Sequence, residues 1–216
     1  MIRTKLSVMM FLQFFIWGAW YTTIAVYMTN HGMERLTYWP YTVNPIAAIV
    51  APFFLGLIAD RYFATEKVLG SLHLVGGLIL FAVPRFTSAP TVFILLLLFY
   101  SLCYMPTLGL ANSLAFHHIQ SQEKQFPLIR VFGTIGWIVA GLFISYVLGR
   151  VMAAPEQTAM PLYTAATASV LLGIFSFTLP HTPPPGARPP GSVRSLARPG
   201  ALPKLGGRPV FIFITP

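Results

Sequence analysis

Apolar residues in this chain fall into long runs separated by short polar clusters. Six runs stand out: Leu6–Met28, Tyr38–Ile58, Val68–Val83, Thr91–His117, Phe126–Leu148 and Leu162–Leu179. A helix needs roughly 20 residues to cross a ~30 Å hydrocarbon core, and these runs are near that length. The breaks carry turn chemistry or charge. Thr29-Asn30-His31-Gly32 closes the first run, and Asp60-Arg61 with Glu66-Lys67 separates the second from the third. Ser88-Ala89-Pro90 precedes the fourth, Gln120 to Gln125 links to the fifth, and Arg150 to Gln157 leads into the sixth. The pattern predicts an all-α chain of six helices.

Composition says what surrounds those helices. Of the residues, 56% are apolar and 9% charged, with a mean hydropathy of +0.70. A soluble domain carries about 25% charged residues to solvate its surface. Too few charges are present to cover a sphere, and lipid is the solvent that suits such helices on every side. Arg3 and Lys5 precede the first run as in a signal peptide, but that run is too long for one and further apolar runs follow. It is read as an uncleaved first helix.

The positive charge fixes an expected orientation. With a cytoplasmic N-terminus, the inner segments hold Arg3, Lys5, Arg61, Lys67, Lys124, Arg130 and five tail residues (Arg188, Arg194, Arg198, Lys204 and Arg208). The outer loops hold only Arg35, Arg85 and Arg150. The positive-inside rule then places both termini in the cytoplasm. The net charge of +9 does not point to nucleic acid, because the basic residues sit at helix ends and in the tail rather than in a stripe interleaved with aromatics.

Residues 182–209 differ from the rest: rich in Pro and Gly, basic and without an acid. Such a composition cannot bury a core and reads as a cytoplasmic linker, solvated or resting on anionic lipid headgroups. Residues 210–216 turn apolar again, like the opening of a seventh helix. The expected organisation is a six-helix bundle over residues 1–181, the linker, and the truncated start of a further helix.

Little in the chain suggests catalysis or a metal. The lone cysteine, Cys103, sits in an apolar run. His117 and His118 are adjacent and face different ways, so they do not share a metal from one helical face. His73 stands alone in the third run and reads as a satisfied buried polar residue. No Ser-His-Asp set, Walker loop or paired carboxylate is present, so no enzyme is expected.

The fifth run carries the most informative polar group. Arg130, Thr134 and Trp137 are spaced four and three apart, which puts them on one helical face. An ionisable residue in a spanning helix usually faces a polar cavity or a partner; an arginine near a helix end can also snorkel to headgroups. A guanidinium, a hydroxyl and a large ring suit a nucleoside, whose base can stack while the polar groups hydrogen-bond. In the first run Gln13, Trp17 and Trp20 are similarly spaced, and Gln13 and Trp17 could line the same cavity or pack against neighbours. Asn112 is a candidate for a hydrogen bond between helices. Gly133, Gly136 and Gly141 read as packing positions that let helices approach closely.

The stretch Gly56-Leu57-Ile58-Ala59-Asp60-Arg61, followed by Glu66-Lys67, resembles the loop motif between the second and third helices of major facilitator transporters. Three blocks add to it: Phe11 to Trp20, Tyr104-Met105-Pro106-Thr107-Leu108-Gly109-Leu110-Ala111-Asn112, and Phe126-Pro127-Leu128-Ile129-Arg130-Val131-Phe132-Gly133-Thr134-Ile135-Gly136-Trp137. With Leu179-Pro180-His181, they are similar to the nucleoside:proton symporter family over most of residues 6–181. The resemblance implies an all-α polytopic membrane protein, the six-helix N-terminal bundle of a major facilitator superfamily transporter. It implies a nucleoside substrate contacted by Arg130, Thr134 and Trp137, where the family often has Phe at the last position. It also implies a conformational latch at Gly56, Asp60 and Arg61, and a bacterial inner-membrane location.

No cofactor is expected; the resemblance implies a proton as the coupling ion, taken up by an acid of a second bundle. The remaining partners are membrane lipids and either a missing C-terminal six-helix half or a second copy of this chain. Two other readings stay open: a half-transporter for another solute such as a sugar, and a membrane subunit with no substrate of its own.

Overall fold

The structure, a computed structural model, describes residues 2–184, with side chains left out for residue 52 and residues 54–62. The latch residues Gly56, Asp60 and Arg61 therefore have side chains outside the described residues. So do residues 185–209 of the linker and the apolar end at 210–216.

The described residues are helical and contain no strand. In chain order the α-helices are α1 (Ile2–Tyr21), α2 (Ile24–Asn30), α3 (Trp39–Tyr62), α4 (Thr65–Ala82), α5 (Pro90–His118), α6 (Gln122–Leu142) and α7 (Met160–Ser176). Four helical stretches among the described residues are long and apolar enough to cross a membrane: Ile2–Asn30, Thr65–Phe86, Pro90–His118 and Gln122–Arg150. Helix α7 is apolar with 17 residues, and α3 is 24 residues long.

The first apolar run is interrupted where the sequence suggests one continuous helix. Thr22 and Thr23 donate their hydroxyls back to the carbonyls of Gly18 (3.3 Å) and Trp20 (3.2 Å). Such bonds compete with the helical ladder, and they separate α1 from α2. Helix α2 stops at a glycine-capped end. Gly32 takes φ +74°, Gly32 N–H donates to Thr29 O at 3.2 Å, and Met33 N–H donates to Met28 O at 2.9 Å. That pattern satisfies two carbonyls that a helix end leaves orphaned. The fifth run is likewise divided: α6 ends at Leu142, and Phe143–Val147 continues as a single π-helical turn.

Packing runs around the bundle, with α1 against α6 and α7, α4 against α7 and α5, and α3 against α5. Small residues set the closest approaches, as expected where lipid supplies no hydrophobic drive between helices. A Cβ on Gly136 would overlap the carbonyl oxygen of Phe11, and one on Gly18 would lie 3.0 Å from the Trp137 carbonyl oxygen. On the α4–α7 seam a Cβ at Gly173 would lie 2.8 Å from Leu74 Cγ. At one end, the segment after α7 folds back onto α4 and α5. The buried Glu66 accepts the Thr182 N–H at 2.9 Å and faces His181 Nδ1 at 2.9 Å. His118 Nε2 lies 2.8 Å from Thr182 Oγ1.

Because the α1–α6 seam has no room at Gly136, Gly136→Ala should cost about 1–3 kcal/mol by overpacking. Gly141→Ala, which meets nothing within 4 Å, should be close to neutral. Thermal unfolding of the two variants in detergent measures the difference.

Candidate functional site

The close α1–α6 seam brings the sequence-predicted residues of both helices into one neighbourhood. Trp137 of α6 packs edge-on to Trp17 of α1, with ring centroids 5.3 Å apart and planes at 82°. Tyr21, one turn beyond Trp17, stands 5.5 Å from Trp17 and 6.4 Å from Trp137. Tyr41 of α3 extends the group, 5.0 Å from Tyr21. Edge-to-face pairs of this kind contribute about 0.5–1.5 kcal/mol each beyond the area they bury. Together they form an aromatic wall whose Trp17, Tyr21 and Trp137 rings are half-buried.

Arg130 lies about two turns below Trp137 on α6. Its guanidinium carbon sits 3.9 Å from the centroid of the Phe14 ring. Gly133 makes this possible, because a Cβ there would lie 2.7 Å from both Arg130 Nη1 and Phe14 Cδ2. No carboxylate lies within ion-pair distance of Arg130 among the described residues. Stacking on an aromatic face leaves the guanidinium's in-plane N–H donors directed outward. Between Arg130 and Trp137, the Thr134 hydroxyl is exposed.

Gln13 sits differently from its expected place on the cavity lining. It is fully buried, and both ends of its amide are bonded inside the bundle. Gln13 Nε2 meets Thr107 Oγ1 of α5 at 2.7 Å, and Gln13 Oε1 meets His73 Nε2 of α4 at 2.9 Å. The other ring nitrogen of His73 faces Ser169 Oγ of α7 at 3.2 Å. Tyr104 Oη donates to the Gln13 backbone carbonyl at 2.5 Å. Four helices thus share one polar knot directly behind the aromatic wall.

Some participants were hidden in the sequence. Tyr21 follows Gln13 and Trp17 at four-residue intervals, a spacing that could have placed it on the same face. Phe14, Tyr41 and Tyr104 gave no such signal. Asn112 is half-buried and makes no side-chain hydrogen bond among the described residues. A pair between helices forms instead at Asn44 and Ser101, with Ser101 Oγ donating to Asn44 Oδ1 at 2.6 Å.

The chain as a whole is similar to known proteins. The family described as nucleoside H+ symporter matches residues 1–215. The chain belongs to that family. YegT of Escherichia coli (strain K12) is 45% identical to this family member over 185 residues, covering 83% of the chain. Nucleoside permease NupG of the same organism is 35% identical over 188 residues, 84% of the chain. A crystal structure of the nucleoside transporter NupG superposes with a TM-score of 0.76 at 32% identity, covering 91% of the chain. The chain spans less than half the length of these relatives, 43% of YegT and of NupG and 48% of the NupG chain in that crystal structure. A multi-pass membrane protein of the major facilitator type is therefore what this symporter-family chain forms.

The knot behind the wall should be costly to break in this family member. Gln13→Leu leaves His73 Nε2 without a partner and takes one of its two bonds from the Thr107 hydroxyl, which keeps the Tyr104 carbonyl, a loss of about 1–3 kcal/mol. A lowered unfolding temperature in detergent, with retained helical circular dichroism, is the expected reading.

Proposed function

We propose that this chain forms one wall of a nucleoside transporter, with Arg130, Thr134 and Trp137 as the substrate-contacting residues. The observation that carries the proposal is the α6 face itself. It presents a guanidinium stacked on Phe14 with no acidic partner among the described residues, an exposed hydroxyl, and a half-buried indole. The indole offers a π-face for a base. The guanidinium and hydroxyl offer donors to a base edge or a ribose. Trp17 braces Trp137 from α1, while Gln13 supports the wall from behind and gives its own amide to His73 and Thr107. Membership of the nucleoside H+ symporter family and similarity to the nucleoside permease NupG support the substrate class.

Transport by this fold works when two bundles rock about a site between them. The second wall comes from another six-helix bundle, a C-terminal half or a second copy. The coupling ion is a proton, taken up by an acid on that second wall. The working location is the bacterial inner membrane, with both termini in the cytoplasm as the distribution of Lys and Arg implies. No enzymatic step belongs to the reading.

Binding of radiolabelled uridine and adenosine tests the assignment. Arg130→Ala removes charge-assisted hydrogen bonds worth about 1.5–3 kcal/mol, so affinity should fall roughly 10- to 100-fold. Trp137→Ala should weaken binding more than Trp137→Phe, which keeps a stacking surface. Unchanged affinity in Arg130→Ala would remove this face from the substrate site.

A further inference from the structure

The polar knot joins Gln13, His73, Thr107, Tyr104 and Ser169, and its position suggests a task beyond satisfying buried groups. We propose that His73 is a positioning residue for the nucleoside face, acting through Gln13 and Tyr104 to hold Trp17 against Trp137. The inference rests on the nucleoside-face reading above and extends it to a residue that touches no substrate.

Donor counting shows why His73 governs Gln13. In one arrangement Ser169 Oγ donates its proton to the carbonyl of His73 at 2.9 Å. The serine oxygen is then left to accept, so His73 Nδ1 carries the hydrogen in the 3.2 Å contact. In a neutral ring the other nitrogen, Nε2, is an acceptor. It takes an N–H from the Gln13 amide, whose oxygen then turns to the Thr107 hydroxyl. Exchanging the amide's O and N keeps every atom position, since the two are interchangeable in shape. The opposite tautomer reverses the whole chain: Ser169 donates to Nδ1, Nε2 donates to the Gln13 amide oxygen, the amide nitrogen donates to Thr107 Oγ1, and Thr107 donates to the Tyr104 carbonyl. In either case the amide orientation of Gln13 and the hydroxyl direction of Thr107 follow the tautomer of His73, so the Gln13 side chain is set from α4.

The same residues reach the wall by packing. The Tyr104 ring stands edge-on to His73 at 5.9 Å and lies 6.2 Å from the Trp17 ring. Its hydroxyl reaches the Gln13 carbonyl, which a continuous helix also pairs with the Trp17 N–H. Trp17 has no hydrogen bond of its own to fix it, because its Nε1 is buried without a partner among the described residues. Its orientation depends on the rings beside it and on the helix turn that Gln13 pins. Trp137 is one of those rings, 5.3 Å away.

Replacing His73 separates positioning from bulk stability. Asn places an amide near the Nδ1 position, toward Ser169, while Gln reaches the Nε2 position, toward Gln13. Equilibrium binding of radiolabelled uridine to the full chain in detergent is measured for wild type, His73→Leu, His73→Asn, His73→Gln and Arg130→Ala, with thermal unfolding of each recorded alongside. The expected result is affinity about tenfold weaker in His73→Leu and His73→Asn, an effect of about 1.4 kcal/mol, and near wild type in His73→Gln. Should His73→Leu fail to fold, the Asn and Gln variants decide the matter alone. Wild-type affinity in His73→Asn overturns the positioning role while Arg130→Ala still loses binding. So does an affinity that simply follows unfolding temperature across the Asn and Gln variants. Absent uridine binding in wild type, or full binding in Arg130→Ala, overturns the nucleoside face itself and the positioning role with it.

Discussion

In hydrocarbon, a buried polar group must find its partner inside the protein, and much of this bundle is arranged around that constraint. Gln13 has no water to turn to, so its amide draws in His73 from α4 and Thr107 from α5, and its backbone carbonyl takes the Tyr104 hydroxyl. Ser169 of α7 completes the set through His73. Van der Waals packing in a bilayer leaves the rotation of each helix weakly specified. A shared hydrogen-bond knot specifies it, because a rotation that breaks one bond leaves several groups unpaired. The faces that α1, α4, α5 and α7 present to one another follow from that choice.

Glycine then determines how closely α6 can join. The contacts at Gly136 and Gly18 bring the α1 and α6 backbones together with no side chain between them. Only at that separation can Trp17 and Trp137 meet edge to face, and only above Gly133 can Arg130 lie back over Phe14. The polar knot sets the orientation of α1, the glycine seam sets the distance to α6, and the aromatic and cationic wall stands where the two meet. The wall at the surface depends on packing one layer beneath it.

The sequence carried part of this and not the rest, for physical reasons. Apolar runs and their polar breaks located the helices, since spanning length and hydropathy are local properties. The interruption at Thr22 and Thr23 was invisible because threonine fits within an apolar run, and only its back-bonding to Gly18 and Trp20 breaks the helix. Arg130, Thr134 and Trp137 were legible as one face, being three and four residues apart on one helix. The role of Gln13 was not, because its partners are 60 and 94 residues away and nothing local distinguishes a cavity glutamine from a bridging one. His73 read correctly as a satisfied buried residue, but the groups satisfying it came only with the fold.

The central claim is that a nucleoside sits against the α1–α6 wall. Photocrosslinking with 5-iodouridine, followed by peptide mapping, tests it most directly. The expected result is an adduct within residues 11–21 or 126–142 that excess unlabelled uridine suppresses. Adducts confined to other segments, or adducts that uridine does not suppress, would contradict the placement of the substrate on this wall.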